Sequence, residues 1–254
     1  PAYTCYEMRE FLKKLIHIWP WPLTLNERYD RQTKAVIKRV LKPDSVCIDV
    51  GCFKGDILQT MIDNAANVRH KAFEPLPQQY AFLKEQFGNK ADIFPYALGD
   101  ENKQTTFHHV VSNPTYSGLQ QRLYKGEEII NEIAVEVRKM DDVIGQDAPI
   151  TLIKIDVEGG EYGVMQGAVA ILKKWHPYLI FEHGIGGADK YGVKPGDVFD
   201  LLVNTLGYRI CLMGDYLKKE TTEGFTRTAF EEQFWKGPDY YFLAVHDITV
   251  NKKI

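Results

Sequence analysis

Asp49, Gly51 and Gly55 stand in one stretch, Ile48-Asp49-Val50-Gly51-Cys52-Phe53-Lys54-Gly55-Asp56. An apolar run enters a glycine turn that opens a helix. In an open parallel sheet the ligand crevice lies outside the carboxyl ends of the strands. Glycine lets the backbone pass close to a ligand there. The pattern is Asp-x-Gly-x-x-x-Gly, not the G-x-G-x-x-G turn that holds a pyrophosphate on a helix N-terminus. Asp49 would repel a pyrophosphate and suits a cationic ligand, an ammonium or a sulfonium. Glu74, in Ala72-Phe73-Glu74-Pro75, falls 23 residues after Gly51. An acidic residue about 20 residues beyond such a turn accepts hydrogen bonds from ribose hydroxyls. Together they describe a nucleoside with a cationic tail, and S-adenosylmethionine fits. The competing reading is an ordinary strand–turn–helix with an exposed Glu. Ala97-Leu98-Gly99-Asp100 ends the next strand and would meet the adenine edge.

A second set of groups could act on a substrate. Asp156 and Glu158 end one expected strand, Glu161 opens the helix after it, and Glu182 with His183 ends the next strand. The sheet would bring Asp156, Glu182 and His183 to one edge, beside the sulfonium. Methyl transfer needs an aligned nucleophile and a group that takes its proton. Two mechanisms stay open. In one, His183 is the general base, since imidazole titrates near neutral pH. In the other, Asp156 and Glu182 hold Mg²⁺, a cation that prefers oxygen ligands and lowers the pKa of a bound hydroxyl. Either carboxylate could instead cap a helix. Glu161 suits the helix dipole better than chemistry. Lys154 could reach a carboxylate of the site. His108-His109 has no Cys or Asp nearby and does not read as a metal site. Ser117, in Tyr116-Ser117-Gly118, could touch the cofactor from a loop above.

These residues need a scaffold. From residue 44 onward short apolar runs alternate with helical patterns. Strands are expected at 46–50, 69–73, 92–96, 150–155, 178–182, 208–213 and 240–245. Helices are expected at 57–66, 78–87, 162–173 and 195–206. Continuous apolar strands alternating with helices predict a parallel sheet covered on both faces. Residues 105–111 and 133–137 read as extra strands that break the rhythm. Residues 214–238 read as an irregular insertion carrying Phe225, Phe230, Phe234 and Trp235.

The bulk properties agree. The chain has 254 residues, is 44% hydrophobic and 26% charged, and carries a formal net charge of -3. Disordered, collagen-like and membrane-spanning classes are excluded. The charge gives no footprint for nucleic acid, so no nucleic-acid partner is expected. The four cysteines, Cys5, Cys47, Cys52 and Cys211, show neither C-x-x-C nor zinc spacing. They point to a reducing, cytoplasmic setting. Residues 11–21 are amphipathic and read as a helix packed on the domain rather than on a membrane. Charges interrupt the apolar stretches at the N-terminus, which argues against a signal peptide. Exposed edge strands would allow a homodimer.

Residues 46–56, Ala72-Phe73-Glu74-Pro75, Ala97-Leu98-Gly99-Asp100 and Leu152-Ile153-Lys154-Ile155-Asp156-Val157-Glu158-Gly159-Gly160-Glu161 together resemble the FkbM-type S-adenosylmethionine-dependent methyltransferases. Leu179-Ile180-Phe181-Glu182-His183 and Lys139-Met140-Asp141-Asp142-Val143 are also similar. The resemblance implies an α/β, Rossmann-like class I methyltransferase fold. It has a seven-stranded, mostly parallel sheet with helices on both faces. It implies O-methylation of a small-molecule or carbohydrate hydroxyl. By position, Asp49, Gly51 and Phe53 would hold the methionine part. Glu74, with Pro75 beside it, would hold the ribose, and Ala97 and Leu98 would border the adenine. Cys52-Phe53-Lys54 departs from the small residues common between the two glycines. Residues 1–43 are expected to form a helical extension and residues 44–254 the methyltransferase domain. The rivals are a nicotinamide-dependent oxidoreductase on a similar sheet and a cofactor-binding protein without catalysis.

Overall fold

The computed structural model describes residues 22, 24–121, 126–145, 149–219 and 223–247. The amphipathic segment 11–21 and Cys5 lie outside the described residues. In chain order the elements are α1 (Leu25–Val40), β1 (Val46–Val50), α2 (Asp56–Asn64), β2 (His70–Phe73), α3 (Pro77–Phe87), β3 (Ala91–Phe94), β4 (Tyr96–Leu98), β5 (Lys103–Val110) and β6 (Ile130–Arg138). Then follow α4 (Met140–Ile144), β7 (Ile150–Ile155), α5 (Glu161–Gln166), α6 (Val169–Trp175), β8 (Tyr178–Glu182), α7 (Pro195–Phe199), β9 (Tyr208–Leu212), α8 (Met213–Lys218), α9 (Arg227–Lys236) and β10 (Tyr241–His246).

The main sheet has seven strands in the order β3-β2-β1-β7-β8-β10-β9. The five strands from β3 to β8 run parallel. β10 runs antiparallel to both of its neighbours. This strand number and mostly parallel order are those that the resemblance implies. The strand order reverses between β1 and β7, where a parallel sheet opens a ligand crevice. β1, β7 and β8 are almost wholly buried, because each is an apolar run covered on both faces.

Side chains along a strand alternate between the two faces. Ile48, Ile153, Phe181 and Phe242 pack with Val164 of α5, Ile171 of α6 and Phe230 of α9. Cys47, Leu152, Ile180 and Leu243 pack the opposite way, with Tyr29, Val36 and Ile37 of α1 and Tyr216 of α8. α1 is built for that face. Its buried residues Tyr29, Thr33, Val36, Ile37 and Val40 recur at helical spacing, and Thr24 caps it by accepting from Glu27 N at 3.2 Å.

Three local differences from the expected elements have physical causes. The third strand leaves the sheet at Pro95, which cannot donate to a ladder. Residues beyond it form β4, which joins β6 and β5 in a three-stranded sheet. The helix expected at 162–173 is two helices. Gly167 between them is pressed so close that a Cβ would lie 2.0 Å from Gly99 O. The stretch 214–238 is largely helical, as α8 and α9.

Candidate active site

The turn after β1 runs through three left-handed residues, Gly51 (φ 76°), Phe53 (φ 48°) and Gly55 (φ 82°). Gly51 is obligatory, since a Cβ there would lie 1.9 Å from Asp156 O. Glu74 holds the turn. Its Oε2 accepts from Phe53 N at 2.8 Å and its Oε1 from Leu76 N at 3.0 Å. Burial pushes its carboxyl up to about 6, against the pull of those two N–H groups. A carboxylate offers about four lone-pair sites, so Glu74 retains capacity for further donors.

A chain of charge crosses the strand ends. Asp49 is 1% exposed; no donor among the described residues reaches hydrogen-bond distance of its oxygens, although the Cys52 thiol and Lys154 act on it from slightly farther off. Burial raises its pKa, opposed chiefly by Lys154. Lys154 Nζ lies 3.7 Å from Asp49 Oδ1 and 3.3 Å from Asp156 Oδ2, and donates to Gly51 O at 3.2 Å. Burial opposes the charge of Lys154, but Asp156 and Asp49 outweigh it and raise its pKa. Tyr241 donates its hydroxyl hydrogen to Asp156 Oδ2. Burial also opposes ionisation of Asp156, but Lys154 and Tyr241 outweigh it and hold the carboxyl below its ordinary value.

These groups open into a cavity of about 560 Å³. Asp49, Gly51, Phe53, Glu74, Pro75, Ala97, Leu98 and Ser117 all line it, as do Asp156 and Glu182. The geometry provides a buried carboxylate for a cation, a second carboxylate for a polar group, and a third beside open space.

The sequence model of the methyltransferase FkbM domain matches residues 49–210. The chain belongs to the FkbM methyltransferase family. The 2-O-methyltransferase NoeI of Sinorhizobium fredii is 27% identical over 158 residues, covering 56% of this chain and 64% of that protein. The AMB antimetabolite synthetase AmbE of Pseudomonas aeruginosa is 30% identical over 165 residues, covering 50% of this chain and 8% of that protein. The chain therefore spans less than two thirds of either relative. A solved FkbM methyltransferase from Methylobacillus flagellatus aligns with a TM-score of 0.50 at 16% identity, over 82% of this chain and 45% of that one.

Within this FkbM fold His183 is not where the sequence analysis put it. The ring does not line the cavity. It is 2% exposed and packs on Phe230 and Phe234 of α9, with ring centroids 5.7 and 4.7 Å away. Burial pushes the imidazole down to about 4 and leaves it neutral. The cause is strand alternation: Glu182 faces the cavity, so His183 faces the other side of the sheet. Ser117 does line the cavity, yet its Oγ accepts from Val110 N at 3.0 Å and so also fixes the loop. Glu161 turns back on its own loop, accepting from Val157 N at 3.0 Å and Gly159 N at 3.1 Å. That loop presents Glu158, and Asp156, Glu158 and Glu182 each bring one carboxylate oxygen within 4.8 Å of the others.

Several cavity residues carried no signal in the sequence. Asn26, Tyr29, Asp30 and Lys34 come from α1, Tyr240 from the residue before β10 and Tyr241 from its first position. All lie outside the matched FkbM segment. Their only cue is the parity of their strand or helix positions.

Proposed function

We propose that this chain is an S-adenosylmethionine-dependent O-methyltransferase acting on a hydroxyl of a small molecule or carbohydrate. The observation that carries it is the pair Asp49 and Asp156, joined by Lys154 at 3.7 and 3.3 Å on one wall of the cavity. The residues fit the cofactor. The two unsatisfied oxygens of Asp49 suit a cationic methionine tail, Gly51 admits a close ligand, and Glu74 has lone pairs for ribose hydroxyls. When bound, S-adenosylmethionine supplies a methyl group already activated on positive sulfur. Asp156 then orients the acceptor hydroxyl and accepts its proton, in place of His183. Tyr241 and Lys154 fix the rotamer of Asp156 and keep it ionised, which serves alignment of the hydroxyl while weakening the carboxylate as a base.

A second reading adds a metal. The convergence of Asp156, Glu158 and Glu182 within 4.8 Å suits a hard divalent cation such as Mg²⁺. Activity that stops in EDTA and returns with Mg²⁺ would favour that version.

The setting we propose is the cytoplasm, supported by the buried thiols of Cys47 and Cys52, which form no disulfide among the described residues. No helix among the described residues is long and apolar enough to cross a membrane. The proposed division at residue 43 is one of chain order rather than packing, because α1 shares a core with β1, β7, β8 and β10.

The test is calorimetry with S-adenosylmethionine, S-adenosylhomocysteine and NAD in parallel. Binding of the first two without NAD supports the proposal, and binding of NAD alone rejects it in favour of an oxidoreductase. Asp156→Asn should keep cofactor affinity and lose turnover across an acceptor panel. A protein that binds the cofactor but turns over no acceptor would be the non-catalytic rival.

A further inference from the structure

Seven carboxylates line the cavity: Asp30, Asp49, Asp56, Glu74, Asp156, Glu158 and Glu182. Against them stand three lysines, Lys34, Lys54 and Lys154, and no arginine among the described residues. Lys154 is already shared between Asp49 and Asp156. Arginine's planar fork is the group best shaped for phosphate and carboxylate ligands. A cavity so lined repels anions and gathers neutral or cationic molecules.

The lining of the cavity has two origins in the chain. The segments 49–56, 73–76 and 96–98 fall inside the family match. α1 and the entry to β10 line the same cavity from outside that match. On α1, Asn26, Asp30 and Lys34 recur every four residues and so share a stripe. Asn26 Oδ1 accepts from Tyr240 OH at 2.6 Å, and Tyr29 OH accepts from Tyr240 N at 3.2 Å, so the two elements form one wall. Asp30 keeps an exposed surface, yet partial desolvation raises its pKa, and it feels the charges of Lys34, Lys154, Asp156 and Asp56.

We propose that α1 and the start of β10 form the acceptor subsite, and that Asp30 makes it select hydroxyl acceptors free of negative charge. This rests on the methyltransferase reading. It directs the search toward neutral or amine-bearing polyols and away from phosphorylated compounds.

The experiment uses the full chain saturated with S-adenosylhomocysteine, in buffer containing EDTA. Saturation-transfer NMR measures binding of glucose, glucosamine and glucose 6-phosphate. Glucose and glucosamine should bind about tenfold or more tightly than glucose 6-phosphate, as charge repulsion in a partly desolvated cleft requires. Asp30→Lys should narrow that gap to about threefold or less, while calorimetric affinity for S-adenosylhomocysteine stays within about twofold. Asp30 is exposed, so the variant should melt like the parent. Glucose 6-phosphate binding as tightly as glucose, an unchanged gap in Asp30→Lys, or no binding of any of the three sugars overturns the inference. Failure of the wild type to bind S-adenosylhomocysteine is a different result, and rejects the methyltransferase reading instead.

Discussion

Glu74 has two duties that pull against each other. It satisfies the N–H groups of Phe53 and Leu76, and we assign it the ribose. Each buried donor left without a partner costs about 1–3 kcal/mol. Glu74→Ala should therefore both destabilise the protein and lose the cofactor, which confounds it as a test. Glu74→Gln keeps one acceptor oxygen and separates the duties. Calorimetry should show about a tenfold loss of affinity with only a modest drop in Tm. The carboxyl titrates at about 6 in the folded chain, above its ordinary 4.5. A raised folded pKa means that the folded chain takes up this proton before the unfolded one. The group's contribution to folding therefore improves as pH falls from about 6 toward 4.5, and its burial penalty is complete above 6. Cofactor affinity should run the other way, weakening below about pH 6 as the ionised acceptor disappears. An affinity that stays flat from about pH 7 to pH 5 would remove Glu74 from the ribose site.

At the scale of elements, β1, β7 and β8 were legible because each is an unbroken apolar run. The ends of those strands already named Asp49, Asp156 and Glu182. What the runs hid was parity. Ile180 and Glu182 share the face of α1, whereas Leu179 and Phe181 share the face of α9, and His183 continues that second set. Counting alternate positions from the strand core would have moved His183 away from the site. His183→Phe should consequently keep cofactor affinity and turnover, since a neutral buried ring is replaced by an apolar one. Loss of turnover in a folded His183→Phe would restore the histidine to catalysis. α1 was hard to read for a different reason: its polar residues are ordinary helix-surface types, and only the wall of a cavity gives them meaning. Its structural weight is testable apart from function. Ile37 is fully buried against the sheet, so Ile37→Ala should cost about 2–5 kcal/mol in urea denaturation. A cost near zero would mean that α1 is not part of the core.

Across the whole molecule, one buried cation ties together carboxylates carried by two neighbouring strands. Asp49 on β1 sits opposite Lys154 on β7 in the sheet register, and Asp156 follows at the strand end. Lys154 therefore balances the carboxylate assigned to the cofactor and the one assigned to the acceptor hydroxyl at once. Breaking a buried pair leaves an uncompensated charge and costs about 3–5 kcal/mol. Lys154→Met does so twice over, and its damage should depend on pH with a definite sign. In the parent, Lys154 and Tyr241 hold Asp156 below its ordinary 3.8 despite burial. That stabilisation is full above about 3.8 and is lost only as pH falls through the lower folded value. Without Lys154 the burial of Asp49 and Asp156 is opposed less, so both carboxyls should titrate above the ordinary value. The variant should then gain stability as pH falls from about 7 to 5, over a range where the parent owes Asp156 no change. Urea denaturation at the two pH values reads the difference directly. The same variant should lose cofactor affinity and acceptor turnover together, whereas Asp30→Lys alters acceptor binding alone. Equal pH slopes in parent and Lys154→Met would mean that the two carboxylates are balanced by something other than this lysine.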